Sequence, residues 1–252
     1  MTERATFTAS DGASLHCPAR GDGPPLLLLH GLTGTGDDWR HVFDEGDLLG
    51  HRVIAPDARG HGRSTNPTGA FTFRRCARDV IELLDAMNIE RVRAVGMSLG
   101  AKTLLHVATA APARVEAMVL VSPAPRFPEA TRARFRAWAA MPHPEEEWAA
   151  MRAQHVHGDD QIRALFALPA RFAADDADMA FDAAALASIT ARTLIVAGDA
   201  DPLYPVALAE ELHAGVRGSE LWVVPGGHGP IFGDARAAFV RRALPFLTSP
   251  AP

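Results

Sequence analysis

Apolar residues are spaced in two different patterns along the chain. Short continuous apolar runs predict buried strands, and they lie at 26–29, 53–55, 92–95, 118–121, 194–197 and 221–224. Elsewhere apolar residues recur three or four positions apart, which predicts amphipathic helices, at 73–87, 99–111, 206–214 and 235–247. Strands that alternate with helices predict an α/β fold, with a mainly parallel twisted sheet flanked by helices on both faces.

Two segments depart from this alternation. Residues 5–9 and 14–17 are joined by the turn dipeptide Asp11-Gly12, which predicts a hairpin at the edge of the sheet. Residues 123–188 contain helical stretches and several prolines but no strand-like run. We therefore expect a helical cap at 123–188, inserted after the sixth strand, and a core formed by 1–122 and 189–252.

The cap segment is rich in aromatic residues. An insertion above the carboxyl edge of the sheet would supply apolar walls to a pocket there, and we expect Phe127, Trp138 and Phe166 among the wall residues. The alternative is that each of these rings packs within the small core of the insertion itself.

A serine stands between two glycines at the end of one predicted strand. In Val95-Gly96-Met97-Ser98-Leu99-Gly100-Ala101, small neighbours allow a sharp strand-to-helix turn that lifts the serine hydroxyl clear of its surroundings. Serine is a weak nucleophile and needs a base, a group that orients the base, and donors for the oxyanion. Ser98 is therefore the candidate nucleophile.

Partners for Ser98 follow later strands. His228, in Gly226-Gly227-His228-Gly229, comes after the last strand-like run and is the candidate base. Asp201 follows the strand at 194–197 and is the candidate acid, with Asp199 as the alternative. The order nucleophile, acid, base, each just beyond a predicted strand, is the order of the triad on a sheet of this kind.

Together these motifs resemble those of the α/β-hydrolase superfamily, in particular its capped serine esterases and lipase-like members, over nearly the whole chain. The segment His30-Gly31-Leu32 is similar to the H-G-x segment of that family. The resemblance implies that the backbone N–H groups of Leu32 and Leu99 form the oxyanion hole. The D-x-R-G-x-G-x-S loop at 57–64 also matches, and we expect Asp57 and Arg59 to pair and brace it.

Other polar residues in the chain receive lesser roles. Lys102 offers a serine–lysine alternative, but we expect its side chain to point away from the open side of the Ser98 hydroxyl. His143, His155 and His157 lie in the insertion and are candidates for pocket lining, although H-x-H alone is weak evidence for a metal. We expect no metal site and no cofactor. Three arginines of the insertion could attract an acidic part of a substrate, or form the solvated face of a helix; these are Arg132, Arg134 and Arg136.

Composition narrows the possible partners. The chain of 252 residues has 25 Lys and Arg against 30 Asp and Glu, a formal net charge of −5, which disfavours nucleic acid and anionic membranes as partners. No apolar run is long enough to span a bilayer. The amino terminus lacks a secretory pattern and the cysteines, Cys17 and Cys76, form no recognisable motif, so we expect a cytoplasmic protein.

The expected activity is hydrolysis of an ester, thioester or lactone of a small to medium, largely apolar substrate through an acyl-enzyme intermediate. Serine at the turn argues against dehalogenase and epoxide hydrolase chemistry, which the resemblance associates with aspartate there. Carbon–carbon bond hydrolysis and cofactor-free perhydrolysis on the same triad remain alternatives, as does a non-catalytic small-molecule receptor. Peptide cleavage ranks low, because Leu99 stands where related iminopeptidases carry tryptophan.

Overall fold

A computed structural model describes residues 6–249 of the chain. The strands within this part of the chain are β1 Thr6–Thr8, β2 Ser14–His16, β3 Ala19–Arg20, β4 Pro25–Leu29, β5 Arg52–Ile54, β6 Val92–Met97, β7 Val115–Val121, β8 Arg192–Gly198 and β9 Glu220–Val224. The α-helices are α1 Phe73–Ala86, α2 Leu99–Ala110, α3 Glu129–Ala139, α4 Glu145–Gln154, α5 Asp159–Phe166, α6 Leu168–Ala174, α7 Ala183–Ala187, α8 Val206–Gly215 and α9 Arg236–Thr248.

The central sheet has the order β3-β5-β4-β6-β7-β8-β9, and every neighbouring pair except β3–β5 is parallel. Successive residues of a strand face opposite sides of a sheet. In β4, Leu27 and Leu29 belong to a buried cluster that includes residues of α1, α2 and α8, whereas Leu26 and Leu28 belong to one on the other face that includes residues of α9. Apolar layers cover both faces, as the continuous apolar strands predict.

The amino-terminal hairpin differs in position from the prediction. β1 and β2 pair with each other in a separate two-stranded sheet, in the register Thr6 to His16. Ala5, part of the predicted strand, lies outside the described residues. The edge of the central sheet is formed instead by β3, which pairs antiparallel with β5. This strand was not predicted, because two residues are too few for a periodic pattern.

Helices α3 to α7 lie between β7 and β8. β7 is the seventh strand along the chain, since the unpredicted β3 adds one to the count. Between Pro123 and Ser188 the described backbone contains one isolated bridge, from Arg126 to Ala180, and otherwise helices and loops. Phe135 and Phe172 of this insertion share a buried cluster with Phe73 of α1. Of the helices described, none has the length and apolar character needed to cross a bilayer.

Candidate active site

Ser98 forms the turn between β6 and α2. Its backbone adopts φ 50° and ψ −104°, a conformation that is unfavourable for a residue with a side chain. A Cβ atom at Gly100 would lie 2.1 Å from the carbonyl oxygen of Leu29, and one at Gly96 would lie 2.6 Å from the carbonyl carbon of Gly100. Glycine at both positions therefore lets strand, turn and helix pack backbone to backbone. The Ser98 N–H donates to the carbonyl of Val121 at 2.8 Å, which fixes the turn against β7.

His228 is held by Asp201. Its Nδ1 lies 2.8 Å from Asp201 Oδ2, and the second carboxylate oxygen accepts the N–H groups of Leu203 at 2.8 Å and Tyr204 at 3.0 Å. Burial opposes ionisation of Asp201, but the hydrogen bonds from His228 and from the two amides outweigh it and lower the pKa of the carboxyl. A carboxylate on Nδ1 places the imidazole proton there and leaves Nε2 to act as a base.

Asp199 has a different role from Asp201. Its Oδ1 accepts the N–H of Gly226 at 2.9 Å, so it braces the backbone of the His228 loop rather than the imidazole. On the other side of the loop, Ser122 Oγ accepts the N–H of Gly229 at 3.0 Å. The geometry therefore favours Asp201 over Asp199 as the partner of His228.

Several of the predicted residues meet at one cavity of about 70 Å³. Its lining includes Ser98, His228 and both predicted oxyanion residues, Leu32 and Leu99. Leu99 is the first residue of α2, and the first N–H groups of a helix have no acceptor within it. A second cavity of about 250 Å³ shares Gly31, Leu32 and Met97 with the first.

Two histidines fix the Leu32 segment. His30 is buried, its Nδ1 lies 2.7 Å from the Gly31 carbonyl and its Nε2 accepts the N–H of Ala58 at 2.9 Å. His155, from the insertion, accepts the N–H of Gly62 at 2.8 Å on Nδ1 and lies 3.0 Å from the Thr33 carbonyl through Nε2. Burial lowers the pKa of both imidazoles, so both are neutral and each can accept on one nitrogen and donate from the other. His155 thus ties the insertion to the segment that carries Leu32.

The expected pairing of Asp57 with Arg59 is wrong. Arg59 pairs with Asp79, at 2.7 Å, and with Asp11, at 3.0 Å. Asp57 instead accepts the backbone N–H groups of Gly36 at 2.8 Å and Arg63 at 2.9 Å. Both residues brace the loop, but each does so through partners distant in sequence that no local spacing could indicate.

The expectation that Lys102 points away from the serine is also wrong. Lys102 lines the same cavity as Ser98, and its Nζ donates to the hydroxyl of Tyr204 at 3.0 Å. Residues four apart lie on the same face of a helix, and Cβ atoms tilt toward the amino terminus of the helix. The side chain of Lys102 therefore lies over the turn that carries Ser98.

Of the three predicted wall residues, only Trp138 lines the cavity. Phe127 lies behind the wall, where it stacks on Tyr204 at 6.2 Å and meets Phe135 edge to face. Phe166 stacks on His143 at 3.6 Å within the insertion. The aromatic content of the insertion does not indicate which rings line the cavity and which pack inside the insertion. The sequence analysis also missed several lining residues, which are Phe73, Met97, Phe135, Phe172, Leu203 and Tyr204.

The remaining histidines of the insertion make local contacts. His143 also bonds to Glu147 at 2.9 Å, and His157 lies 3.0 Å from the Arg63 carbonyl. Across residues 6–249, no group of three or more histidine, cysteine, aspartate or glutamate side chains is arranged to hold a metal ion.

Comparison with known proteins identifies the family to which this fold belongs. A family model described as the α/β hydrolase fold matches residues 24–169. The chain belongs to the α/β hydrolase family. This confirms the predicted fold and the resemblance to the α/β-hydrolase superfamily.

This α/β hydrolase is similar to several known hydrolases, one of them with a solved structure. It is 38% identical to a putative carbamate hydrolase, RutD, of Variovorax paradoxus, over 92% of this chain and 94% of the relative. An epoxide hydrolase of Caballeronia sordidicola is 38% identical over 44% of this chain and 34% of the relative. The crystal structure of a hydrolase from Pseudomonas aeruginosa superimposes with a TM-score of 0.79 at 28% identity, covering 98% of both chains.

Proposed function

We propose that this α/β hydrolase is a serine hydrolase that cleaves an ester, thioester or lactone of a small to medium, largely apolar substrate. Two observations support this proposal most directly: Asp201 hydrogen-bonds to His228 at 2.8 Å, and His228 and Ser98 line the same cavity. The substrate class follows from a wall built mainly of apolar side chains.

The chemistry proceeds in two steps. His228 Nε2 takes the proton of Ser98 as Oγ attacks the substrate carbonyl, and Asp201 stabilises the imidazolium that forms. The N–H groups of Leu32 and Leu99 stabilise the oxyanion. His228 then gives its proton to the leaving alcohol, thiol or lactone oxygen, and a water molecule activated by His228 hydrolyses the acyl-enzyme. Residues 1–122 and 189–252 serve as the catalytic core, and 123–188 as a cap that excludes bulk water.

The test combines labelling with turnover. The wild-type protein is treated with an active-site-directed fluorophosphonate and assayed with p-nitrophenyl esters of increasing acyl length, beside Ser98→Ala and His228→Ala. Matched controls are Ser188→Ala, at an exposed helix end, and His213→Ala, on the exposed side of α8. We expect labelling at Ser98 and a preference for short acyl groups, since the cavity beside Ser98 is small.

Loss of turnover in Ser98→Ala and His228→Ala, with both controls active, would support the proposal. A folded wild-type protein that neither reacts with the phosphonate nor hydrolyses any ester would refute it and favour the receptor alternative.

A carbamate substrate is the second candidate. The observation that favours it is the similarity to the putative carbamate hydrolase over nearly the full length of both chains. The same serine and oxyanion donors would act on a carbamate carbonyl. Ethyl carbamate assayed beside ethyl acetate separates the two: a higher kcat/KM for the carbamate would favour this candidate over ester hydrolysis.

A further inference from the structure

Lys102 and Tyr204 are the only lysine and the only tyrosine of the chain. They hydrogen-bond to each other in the wall of the Ser98 cavity, where the Lys102 Nζ donates to the Tyr204 hydroxyl at 3.0 Å. Both side chains are buried, with 2% of Lys102 and 4% of Tyr204 exposed. The proposed triad uses neither side chain, so this polar pair in an otherwise apolar wall calls for a separate role.

The Lys102 ammonium has no anionic partner among the described residues. Its Nζ lies 4.4 Å from the centre of the Tyr204 ring, 5.6 Å from that of Phe73 and 5.8 Å from that of Phe127. Asp201 acts on it only at longer range, and both Asp201 oxygens already accept hydrogen bonds. A buried cation is costly unless it is paired. Burial accordingly lowers the pKa of Lys102 to about 7.

Tyr204 links this cation to the nucleophile. Tyr204 lines the cavity beside Ser98 and its hydroxyl accepts from Lys102, while burial raises the pKa of the phenol so that it stays protonated. Lys102 and Ser98 stand four residues apart, about one turn of α2, and line the same cavity as Tyr204. An anionic group that reached Nζ would lie only a few bonds from a carbonyl attacked by Ser98.

We propose that Lys102 and Tyr204 form an anion-binding subsite that selects substrates carrying a carboxylate within a few bonds of the scissile carbonyl. The subsite rests on the proposed serine hydrolase function and refines it, because the substrate is then apolar apart from one acidic end. The carboxylate accepts from the Lys102 ammonium and the Tyr204 hydroxyl, which gives the buried cation its partner.

The arginines of α3 are weaker candidates for this role. Arg132 already pairs with Glu129 at 3.1 Å and Asp176 at 3.5 Å, and Arg136 pairs with Glu129. Arg134 is exposed and does not line the cavity. The cationic group inside the cavity wall is Lys102.

The test compares two esters with the same acyl chain length, monoethyl succinate and ethyl butyrate, at pH 7. Wild-type protein is expected to give at least a tenfold higher kcat/KM for the anionic ester. In Lys102→Met, which keeps an unbranched side chain, we expect kcat/KM for monoethyl succinate to fall by at least about 30-fold, the effect of removing one partner of a buried charge pair. Ethyl butyrate is expected to change less than about threefold. Arg134→Met, the matched loss of one positive charge, is expected to leave both values unchanged.

A second measurement does not depend on turnover. Monoethyl succinate is titrated calorimetrically into Ser98→Ala and into Ser98→Ala with Lys102→Met, and we expect the second protein to bind at least about 30-fold more weakly. If no ester is hydrolysed by the wild-type protein, the proposed function fails and this titration alone decides on the subsite.

Equal losses for both esters in Lys102→Met would overturn the subsite and make Lys102 a general base or a structural residue. A wild-type preference for ethyl butyrate would overturn it as well, and that comparison holds even if Lys102→Met does not fold.

Discussion

At the scale of single residues, the site assigns separate tasks to two carboxylates of one loop. Asp201 bonds to the imidazole of His228, whereas Asp199 bonds to the backbone N–H of Gly226. An amide in place of Asp201 could still bond to the ring, but it would favour the wrong tautomer and could not stabilise an imidazolium. The same change at Asp199 would leave an acceptor for the Gly226 N–H.

This difference gives the first prediction. Asp201→Asn is expected to lower kcat for a p-nitrophenyl ester by roughly ten-thousand-fold, as loss of the acid does in serine triads. Asp199→Asn is expected to lower kcat by less than about tenfold, since it changes only a loop brace. Steady-state kinetics on the two variants at pH 7.5 check this. A comparable loss in both would mean that Asp199 shares the role of the acid.

The position of a side chain along the sheet edge could be predicted from sequence where the residue follows a strand, but the direction of a side chain on a helix could not. Ser98, Asp201 and His228 each follow a strand, so the parallel sheet brings all three to one edge. Lys102 was misjudged because nearly every position of α2 is buried, which leaves no polar face to orient the helix. Its direction follows instead from the four-residue spacing to Ser98.

At the scale of elements, α2 is pressed against β4. The Gly100 N–H donates to the His30 carbonyl at 3.0 Å, and a Cβ at Gly100 would lie 2.1 Å from the carbonyl oxygen of Leu29. No flexible side chain can yield there, because the obstacle is backbone. The helix start and the end of β4 are therefore held at a separation that only glycine permits.

The second prediction concerns this contact. Gly100→Ala is expected to destabilise the protein by about 1–3 kcal/mol, the usual effect of overpacking, and to lower ester turnover because the Ser98 turn and Leu99 shift. Gly46→Ala is the control, since a Cβ at Gly46 meets nothing within 4 Å. Urea unfolding and kcat/KM are measured for both. Wild-type stability in Gly100→Ala would show that the sheet and helix can separate freely.

Elements were predicted from sequence where they are long and apolar, and less well where they are short. The runs that became β4, β6 and β8 were found, but β3 has only two residues and lacks a pattern. Phe127 and Phe166 show the limit for the insertion. Periodicity identifies a helix, but which of its rings face the cavity depends on how helices such as α3 and α6 pack on each other.

At the scale of the whole molecule, buried neutral histidines join the parts of the structure. His30, His61, His106 and His155 all have a pKa lowered chiefly by burial. His106, on α2, lies 2.7 Å through Nε2 from the carbonyl of Asp178, whose carboxylate accepts the N–H groups of Phe73 and Arg74. A protonated imidazole at these sites would be a buried charge, which burial makes costly.

The third prediction concerns how the free energy of unfolding depends on pH through His106. The pKa of His106 is about 4 in the folded protein against 6.5 for an ordinary histidine, so between these values the unfolded chain binds a proton that the folded one does not. Stability is therefore full above pH 6.5 and falls as the pH drops, by up to about 1.4 kcal/mol per pH unit for this residue. Urea unfolding from pH 8 to pH 4.5 should give a shallower dependence for His106→Gln. An unchanged slope in the variant would contradict it.

The layered architecture could be predicted from the sequence, because continuous apolar strands indicate a sheet that is covered by helices on both faces. The cavity was not, since its wall combines Phe73 of α1, Leu203 beyond β8 and Trp138 of α3. These residues are far apart in sequence, and only the packing of the insertion on the core brings them together.

The burial of Lys102 also allows an experiment with amine-reactive reagents. In a chain whose only lysine is 2% exposed, an amine-reactive reagent meets no accessible side-chain amine while the fold is closed. Acylation of that lysine would therefore be slow in the closed fold, and its rate would report how often the structure around the cavity opens to a reagent. The rate of Lys102 acylation would thus measure how often the site becomes accessible.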